Sequence, residues 1–273
     1  MRGNGVNLQI NASDPPNYIK LWAYPGERPV FDFATMTAIN KALDLRKDYW
    51  HIKRIEVKNC TTESGIFVGG FGAIIEGCVV HDCNNDGAIL GSTSVKATNA
   101  LILNCDSCRN FQASSGGNNG DGFAAKAGCS TGNVFRGCRA WENSDDGWDL
   151  FETDYSVVIS NCWVWKSAFT GQGNGNGFKM GGDGAGGSSL GTHYAYNCVA
   201  FACKVNGFTQ NSHRDGEVVI NCLSFTNGSS GYNYFYEGTV NSGKKMCSRT
   251  TSASCAKPPA PATISARTTT RSS

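Results

Sequence analysis

A short alternating strand that ends in cysteine recurs along this chain, and no other feature constrains the fold as strongly. It is read at Ile55-Glu-Val-Lys-Asn-Cys60, Ala73-Ile-Ile-Glu-Gly-Cys78, Leu101-Ile-Leu-Asn-Cys105 and Asn133-Val-Phe-Arg-Gly-Cys138. It returns at Val157-Val-Ile-Ser-Asn-Cys162, Tyr194-Ala-Tyr-Asn-Cys198 and Val218-Val-Ile-Asn-Cys222. A second signal runs with it, a polar residue, a glycine and an aromatic: Asp121-Gly122-Phe123, Asp146-Gly147-Trp148, Asn176-Gly177-Phe178, Asn206-Gly207-Phe208 and Ser230-Gly231-Tyr232. After Cys78, Cys138, Cys198 and Cys222 the polar-Gly step falls at one fixed offset, the first of these being Asp86-Gly87. The unit is about two dozen residues with loop insertions, the signature of a solenoid.

One such strand cannot bury its faces alone. Stacked in register as coils about 4.8 Å apart, the strands can, and residues at equivalent positions then form ladders along the axis. The expected architecture is all-β, a right-handed single-stranded parallel β-helix. It forms one domain over residues 1–255, followed by a Pro/Ala/Ser/Thr-rich tail over 256–273 that is expected to be disordered. Before the repeat, Tyr18–Pro25 and Pro29–Phe33 read as strands, residues 34–48 as a short helix or loop, and 1–17 as turn-rich. The Gly-rich stretch from Gly181 to Gly187 reads as flexible loop.

Most of the thirteen cysteines are expected to be small buried hydrophobes in the ladder. Cys105 and Cys108 are read as structural rather than as a zinc or redox pair. Cys129, Cys247 and Cys255 fall outside the ladder and are the disulfide candidates. Sequons at Asn11, Asn59 and Asn227 permit glycosylation, with Asn59 expected in an internal, inaccessible row. The net charge of +2 shows no basic stripe, which argues against a nucleic-acid partner. No apolar run approaches the roughly 18 residues of a membrane span. A monomer is expected. Met1-Arg2-Gly3-Asn4 lacks the apolar run of a signal peptide. The chain is therefore either intracellular or shortened at its start.

The chemistry concentrates where the repeat is least neutral. Superposing the units on Gly122, Gly147, Gly177 and Gly207 puts Asp121, Asp146, Asn176 and Asn206 in one row, and Ala124, Asp149, Lys179 and Thr209 in another. Asp121 and Asp146 would then be like charges on neighbouring rungs, with Asp145 and Asp149 crowding the same spot. Carboxylates so placed repel unless protonated or bridged by a cation. Hard oxygen ligands in an irregular cluster suit Ca2+. Turn chemistry explains one Asp-Gly per rung, and for Asp86 that reading is accepted. Lys179 falls one rung beyond Asp149. Beside carboxylates alone its pKa would rise; with calcium absorbing their charge, and with partial desolvation, it should fall, which would make the amine a base. The bland alternative is a surface ion pair. Lys126 is a rival base or a substrate-binding cation, without an aspartate neighbour in its own column.

Asp121-Gly-Phe-Ala-Ala-Lys126, Gly132-Asn-Val-Phe-Arg-Gly-Cys-Arg139, Asn143-Ser-Asp-Asp-Gly-Trp-Asp-Leu-Phe151 and Gly175-Asn-Gly-Phe-Lys-Met-Gly-Gly182 together resemble the pectate lyases of polysaccharide lyase family 9. The likeness is strongest over residues 116–233. The resemblance implies a right-handed parallel β-helix that is secreted and that cleaves polygalacturonate (pectate) by β-elimination. It implies Asp121, Asp145, Asp146 and Asp149 as calcium ligands and Lys179 as catalytic base. It also implies an incomplete first coil, since the chain departs from the family at its start. Two other readings stand beside it: a β-helical hydrolase of the polygalacturonase type with paired carboxylates, and a non-catalytic sugar-binding solenoid with structural calcium. Trp148 reads equally as core or as sugar contact.

Overall fold

The computed structural model describes residues 5–8, 17–127, 129–153, 155–182, 191–228, 234–235, 240–244 and 246–252. Every strand pairing in them is parallel, and apart from Gly70–Phe71 with Ala97–Thr98, which pair with each other, and Cys247–Ser252, the strands line up in three rows that form the faces of a coil. The first face runs Val6–Leu8, Leu43–Leu45, Ile66–Val68, Ala88–Leu90, Phe123–Ala125, Trp148–Asp149, Phe178–Lys179, Phe208–Thr209 and Tyr234–Phe235. The second face runs from Ile19–Trp22 through Trp50–Lys53 to His193–Tyr196, and the third from Val30–Asp32 through Glu56–Lys58 to Val199–Phe201. Glu217–Phe225 is long enough to serve both, pairing with His193–Tyr196 by its first half and with Val199–Phe201 by its second.

The recurrent Asn-Cys and Gly-Cys steps mark the corner between the second and third faces. Arg54, Gly77, Asn104, Gly137, Asn161, Asn197 and Asn221 stand there in turn, with φ of 58, 61, 51, 67, 55, 54 and 53°. A single left-handed residue bends the chain at this corner, and Gly and Asn reach that conformation at least cost. The next residue turns into the coil and must be small, hence Cys78, Cys105, Cys138, Cys162, Cys198 and Cys222, all buried. Their polar atoms are satisfied by the backbone: Cys105 Sγ donates to the Ile75 carbonyl at 3.4 Å, and Cys162 Sγ accepts from the Cys138 N–H at 3.4 Å. Outside the corner the asparagines ladder as well, Asn221 Nδ2 donating to Asn197 Oδ1 at 2.7 Å and Asn197 Nδ2 to Asn161 Oδ1 at 3.1 Å.

Behind the first face the core is an aromatic column. Phe123, Trp148, Phe178 and Phe208 stack with centroids 4.9, 4.8 and 4.7 Å apart. The rung spacing is also a good offset-stacking distance, so one aromatic per coil gains packing beyond its buried area. Trp148 is therefore core, fully buried.

Several expectations shift in register. Glu56–Lys58 pairs with Val79–His81 on the third face. The second-face strand of that coil is Trp50–Lys53. Ile55 thus takes the cysteine corner, and Cys60 belongs to a different row, level with Cys83. The alternation of apolar residues is the same on both faces, so it could not separate them. Asn59 is half-buried on the outside, its Nδ2 donating to Asp32 Oδ1 at 2.9 Å, rather than in an internal row. The sequon residue Asn227 is fully buried, donating to the Ala200 carbonyl and Ser224 Oγ. Residues 34–48 hold the first-face strand Leu43–Leu45, and the turn-rich start holds Val6–Leu8. At the other end Phe208 pairs with Tyr234 rather than with Tyr232, two residues off the expected alignment.

Among the described residues no disulfide is formed. Cys129 is buried with its Sγ donating to the Leu90 carbonyl at 2.8 Å. Cys255, the sequon at Asn11, the loop from 183 and the tail lie outside the described residues. No described helix is long and apolar enough to cross a membrane.

Candidate active site

Two rows of the first face build the site. On the strand itself Ala124, Asp149, Lys179 and Thr209 are successive partners, as expected. Just before the strand lies the turn row Asp86, Asp121, Asp146, Asn176 and Asn206. Each is followed by a glycine, and the reason is contact rather than φ. A Cβ on Gly122 would lie 2.7 Å from the Gly147 carbonyl oxygen, one on Gly147 2.6 Å from that of Gly177, and one on Gly177 2.5 Å from that of Gly207. Only glycine lets the coils close to their spacing here, and that closeness presses the preceding acids together.

Asp121, Asp146 and Asp149 each offer an oxygen within 4.8 Å of the others, and all three are buried. One oxygen of each is held by the backbone. Asp121 Oδ1 accepts from the Asp146 N–H at 2.8 Å, Asp146 Oδ1 from the Asn176 N–H at 2.7 Å, and Asp149 Oδ1 from the Phe151 N–H at 3.0 Å. Asp146 Oδ2, also buried, accepts no hydrogen bond. Lys179 Nζ lies 3.5 Å from it, as an ion pair. Burial, with Asp145, Asp121 and Asp149 alongside, pushes the Asp146 carboxyl well above its usual range despite Lys179.

Asp145 stands next to this group rather than in it. Its Oδ2 accepts from the Asn119 N–H at 2.7 Å and its Oδ1 from the Asn174 N–H at 2.5 Å, tying two loops to the site. Burial and the neighbouring Asp121 lift its pKa to about 6.

Lys179 is 8 % exposed. Its Nζ lies 3.3 Å from Asp149 Oδ2 and 3.3 Å from Asn174 Oδ1, with the half-exposed Phe151 ring 5.3 Å away. Burial pulls its pKa down, but Asp149, Asp146 and Asp121 outweigh it and hold the ammonium above its ordinary value. That is the direction expected for a lysine among carboxylates alone.

Lys126 departs most from expectation. Its Nζ lies 2.5 Å from Asp121 Oδ2, 3.2 Å from Asp149 Oδ2 and 3.3 Å from Asp86 Oδ1. Asp86 is thus no isolated turn residue but a buried member of the cluster, one rung before Asp121. Its place in the turn row was legible, but its partner was not, because Lys126 lies forty residues away. Asn174 and Phe151 were also missed; the motif flanking Lys179 was the available signal. Cys105 and Cys108 join no metal-capable group among the described residues.

A stacked parallel coil with buried acids and lysines on one face defines a class, the β-helix proteins with an acidic centre on a sheet. Residues 4–245 match the family model described as Pel9A-like, right handed beta helix region, and the chain belongs to that family. The chain is 35% identical over 257 residues to pectate lyase L of Dickeya dadantii (strain 3937), covering 89% of this chain and 57% of the relative. It is 37% identical over 231 residues to pectate lyase L of Paenibacillus polymyxa (strain SC2), covering 78% and 50%. The crystal structure of pectate lyase Pel9A superposes with a TM-score of 0.80 at 32% identity, over 93% of this chain and 66% of that one. The chain thus spans a little over half the length of the first of these relatives.

Proposed function

We propose that this chain is the catalytic β-helix of a secreted, calcium-dependent pectate lyase, acting as a monomer on polygalacturonate. The observation that carries the reading is the placement of Lys179 within 3.5 Å of two carboxylates of a buried triad, one of which has an oxygen that accepts no hydrogen bond. A buried carboxylate oxygen that has an ammonium at 3.5 Å but accepts no hydrogen bond is incompletely satisfied, which is costly. The donor set is hard and oxygen-only, which fits calcium. Asp121, Asp146 and Asp149 would hold the ion, with Asp145 adjoining. A bound calcium would supply Lewis-acid polarisation of the uronate carboxylate and so acidify the proton on C5.

Everything else falls to the chain. Lys179, as the neutral amine, takes the C5 proton. The C5–H electron pair becomes the C4–C5 double bond, the C4–O glycosidic bond breaks, and the leaving oxygen takes a proton from solvent. A 4,5-unsaturated sugar and a shortened chain result. Asn174 Oδ1 accepts from Lys179 Nζ, and the Asn174 N–H ties Asp145 to the same loop. Both groups are thereby set before substrate arrives, which lowers the ordering cost of the reaction.

The test is near-ultraviolet absorbance of products from polygalacturonate, in calcium and then in chelator. Calcium-dependent growth of the unsaturated chromophore, abolished in Lys179→Ala with calcium binding retained, is the expected result. Cleavage without the chromophore would establish the hydrolase instead. No cleavage, with calcium bound, would leave the sugar-binding solenoid.

A further inference from the structure

We propose that Lys126 is a tethered counter-cation that keeps the acidic groove to a single metal ion. The inference rests on the reading that Asp121, Asp146 and Asp149 take calcium. The groove carries five carboxylates, Asp86, Asp121, Asp145, Asp146 and Asp149, all buried. Asp86, Asp121 and Asp146 succeed one another in the turn row, so they stack at about the rung spacing of 4.8 Å. Carboxylates that close, out of water, need cations between them.

The groove supplies those cations unevenly. At the end nearer Asp86, Lys126 Nζ touches one oxygen each of Asp86, Asp121 and Asp149 at 3.3, 2.5 and 3.2 Å. Its three N–H donors therefore meet three carboxylates on three successive rungs. The tether is short, because Lys126 follows directly on the strand Phe123–Ala125 that Asp121 precedes. At the end nearer Lys179, Asp146 Oδ2 accepts no hydrogen bond. One end is thus closed by three contacts of a single ammonium, whereas at the other Lys179 Nζ reaches two carboxylates, 3.3 Å from Asp149 Oδ2 and 3.5 Å from Asp146 Oδ2, without donating a hydrogen bond to the second. Without the ammonium, the oxygens of Asp86, Asp121 and Asp149 that now converge on Nζ would converge on a second site for a divalent ion.

The experiment counts calcium in the full chain by isothermal titration after chelator stripping, and by native mass spectrometry of protein kept in calcium throughout. Wild type and Lys126→Arg are expected to hold one ion. Lys126→Met, which keeps the length and removes the charge, is expected to hold two. Asp86→Asn/Lys126→Met, which also removes the carboxylate a second ion needs, is expected to return to one. The calcium-induced rise in melting temperature should be larger in Lys126→Met than in wild type. Mass spectrometry in calcium gives the count even if the stripped variant does not fold. One ion in Lys126→Met, with a wild-type melting shift, overturns the proposal and leaves the lyase reading intact. A wild type that binds no calcium overturns the metal reading itself, and this proposal with it.

Discussion

The corner of Cys105, Cys138, Cys162, Cys198 and Cys222 and the turn row of Asp86, Asp121 and Asp146 are built by the same stacking, yet one is self-sufficient and the other is not. In the cysteine row each side chain is small and neutral, and its sulfur exchanges hydrogen bonds with the backbone of its own and adjoining coils. Adding another rung of the same residue adds another satisfied contact. In the aspartate row the same spacing brings like charges together, and each added rung adds repulsion. Two lysines offset part of it, and Asp146 Oδ2, 3.5 Å from Lys179 Nζ, still accepts no hydrogen bond. A repeat fold makes neutral ladders at little cost, so a charged ladder in one marks a place where something other than stability is served.

This contrast can be broken most sharply at its charged end. Asp149→Asn removes the carboxylate that contacts both Lys126 and Lys179. Initial-rate assays on polygalacturonate are expected to show a loss of about a hundredfold or more in kcat. A variant within a few-fold of wild type would detach the acidic row from the chemistry.

The glycine row that forces the acids together should come next. In Gly147→Ala the new Cβ would lie 2.2 Å from the Val164 side chain and 2.6 Å from the Gly177 carbonyl oxygen. Urea denaturation is expected to show a loss of about 2–4 kcal/mol. A neutral result would mean that the coils can separate here and that the crowding is not imposed by backbone approach.

At the neutral end, Cys162→Ala should cost only about 1–2 kcal/mol, the price of a small cavity and a lost weak hydrogen bond. On the proposed reading, turnover of polygalacturonate should be unchanged, since Cys162 sits at the corner between the other two faces. A matching loss of activity would erase the distinction between the two rows.

The last effect concerns titratable groups buried away from the groove, and for Glu217 it is absent at acid pH. Burial holds Glu217 well above the usual carboxylate range, against the opposing hydrogen bond from the Tyr234 hydroxyl at 2.9 Å. Its carboxyl is thus protonated in the folded chain and ionised in the unfolded one above a pH of about 4.3. The folded state then binds the extra proton, and the contribution of this group to stability falls as pH rises from there. Glu217→Gln is expected to flatten the decline by up to about 1.4 kcal/mol per pH unit in denaturation measured at successive pH values. His193, also buried and held well below its usual range, acts in the opposite sense and loses stability as pH falls below about 6.5.

Much of the site was readable because rung assignment is arithmetic once the glycines are aligned. Asp149 and Lys179 fall on partner positions as that alignment requires, and Asp121 precedes Asp146 in the same turn row. Reading failed where two positions share a composition. Ile55–Cys60 alternates like a second-face strand but lies on the third, and Phe208 meets Tyr234 rather than Tyr232. It failed also where a long side chain chooses its partner. Lys126 shares a column with no aspartate, yet its four-carbon stem reaches three of them.

The repeat alone was enough to read the solenoid, the cysteine ladder, and the rungs on which Asp121, Asp146, Asp149 and Lys179 stand. Each follows from backbone spacing, which a repeat makes periodic. Which oxygens already have partners is visible only in the folded chain. The direction of a carboxylate depends on which N–H groups the neighbouring coil presents. That is why Asp145 is bound on both oxygens by loop backbone, Asp86 is drawn into the cluster by Lys126, and Asp146 keeps one oxygen that accepts no hydrogen bond.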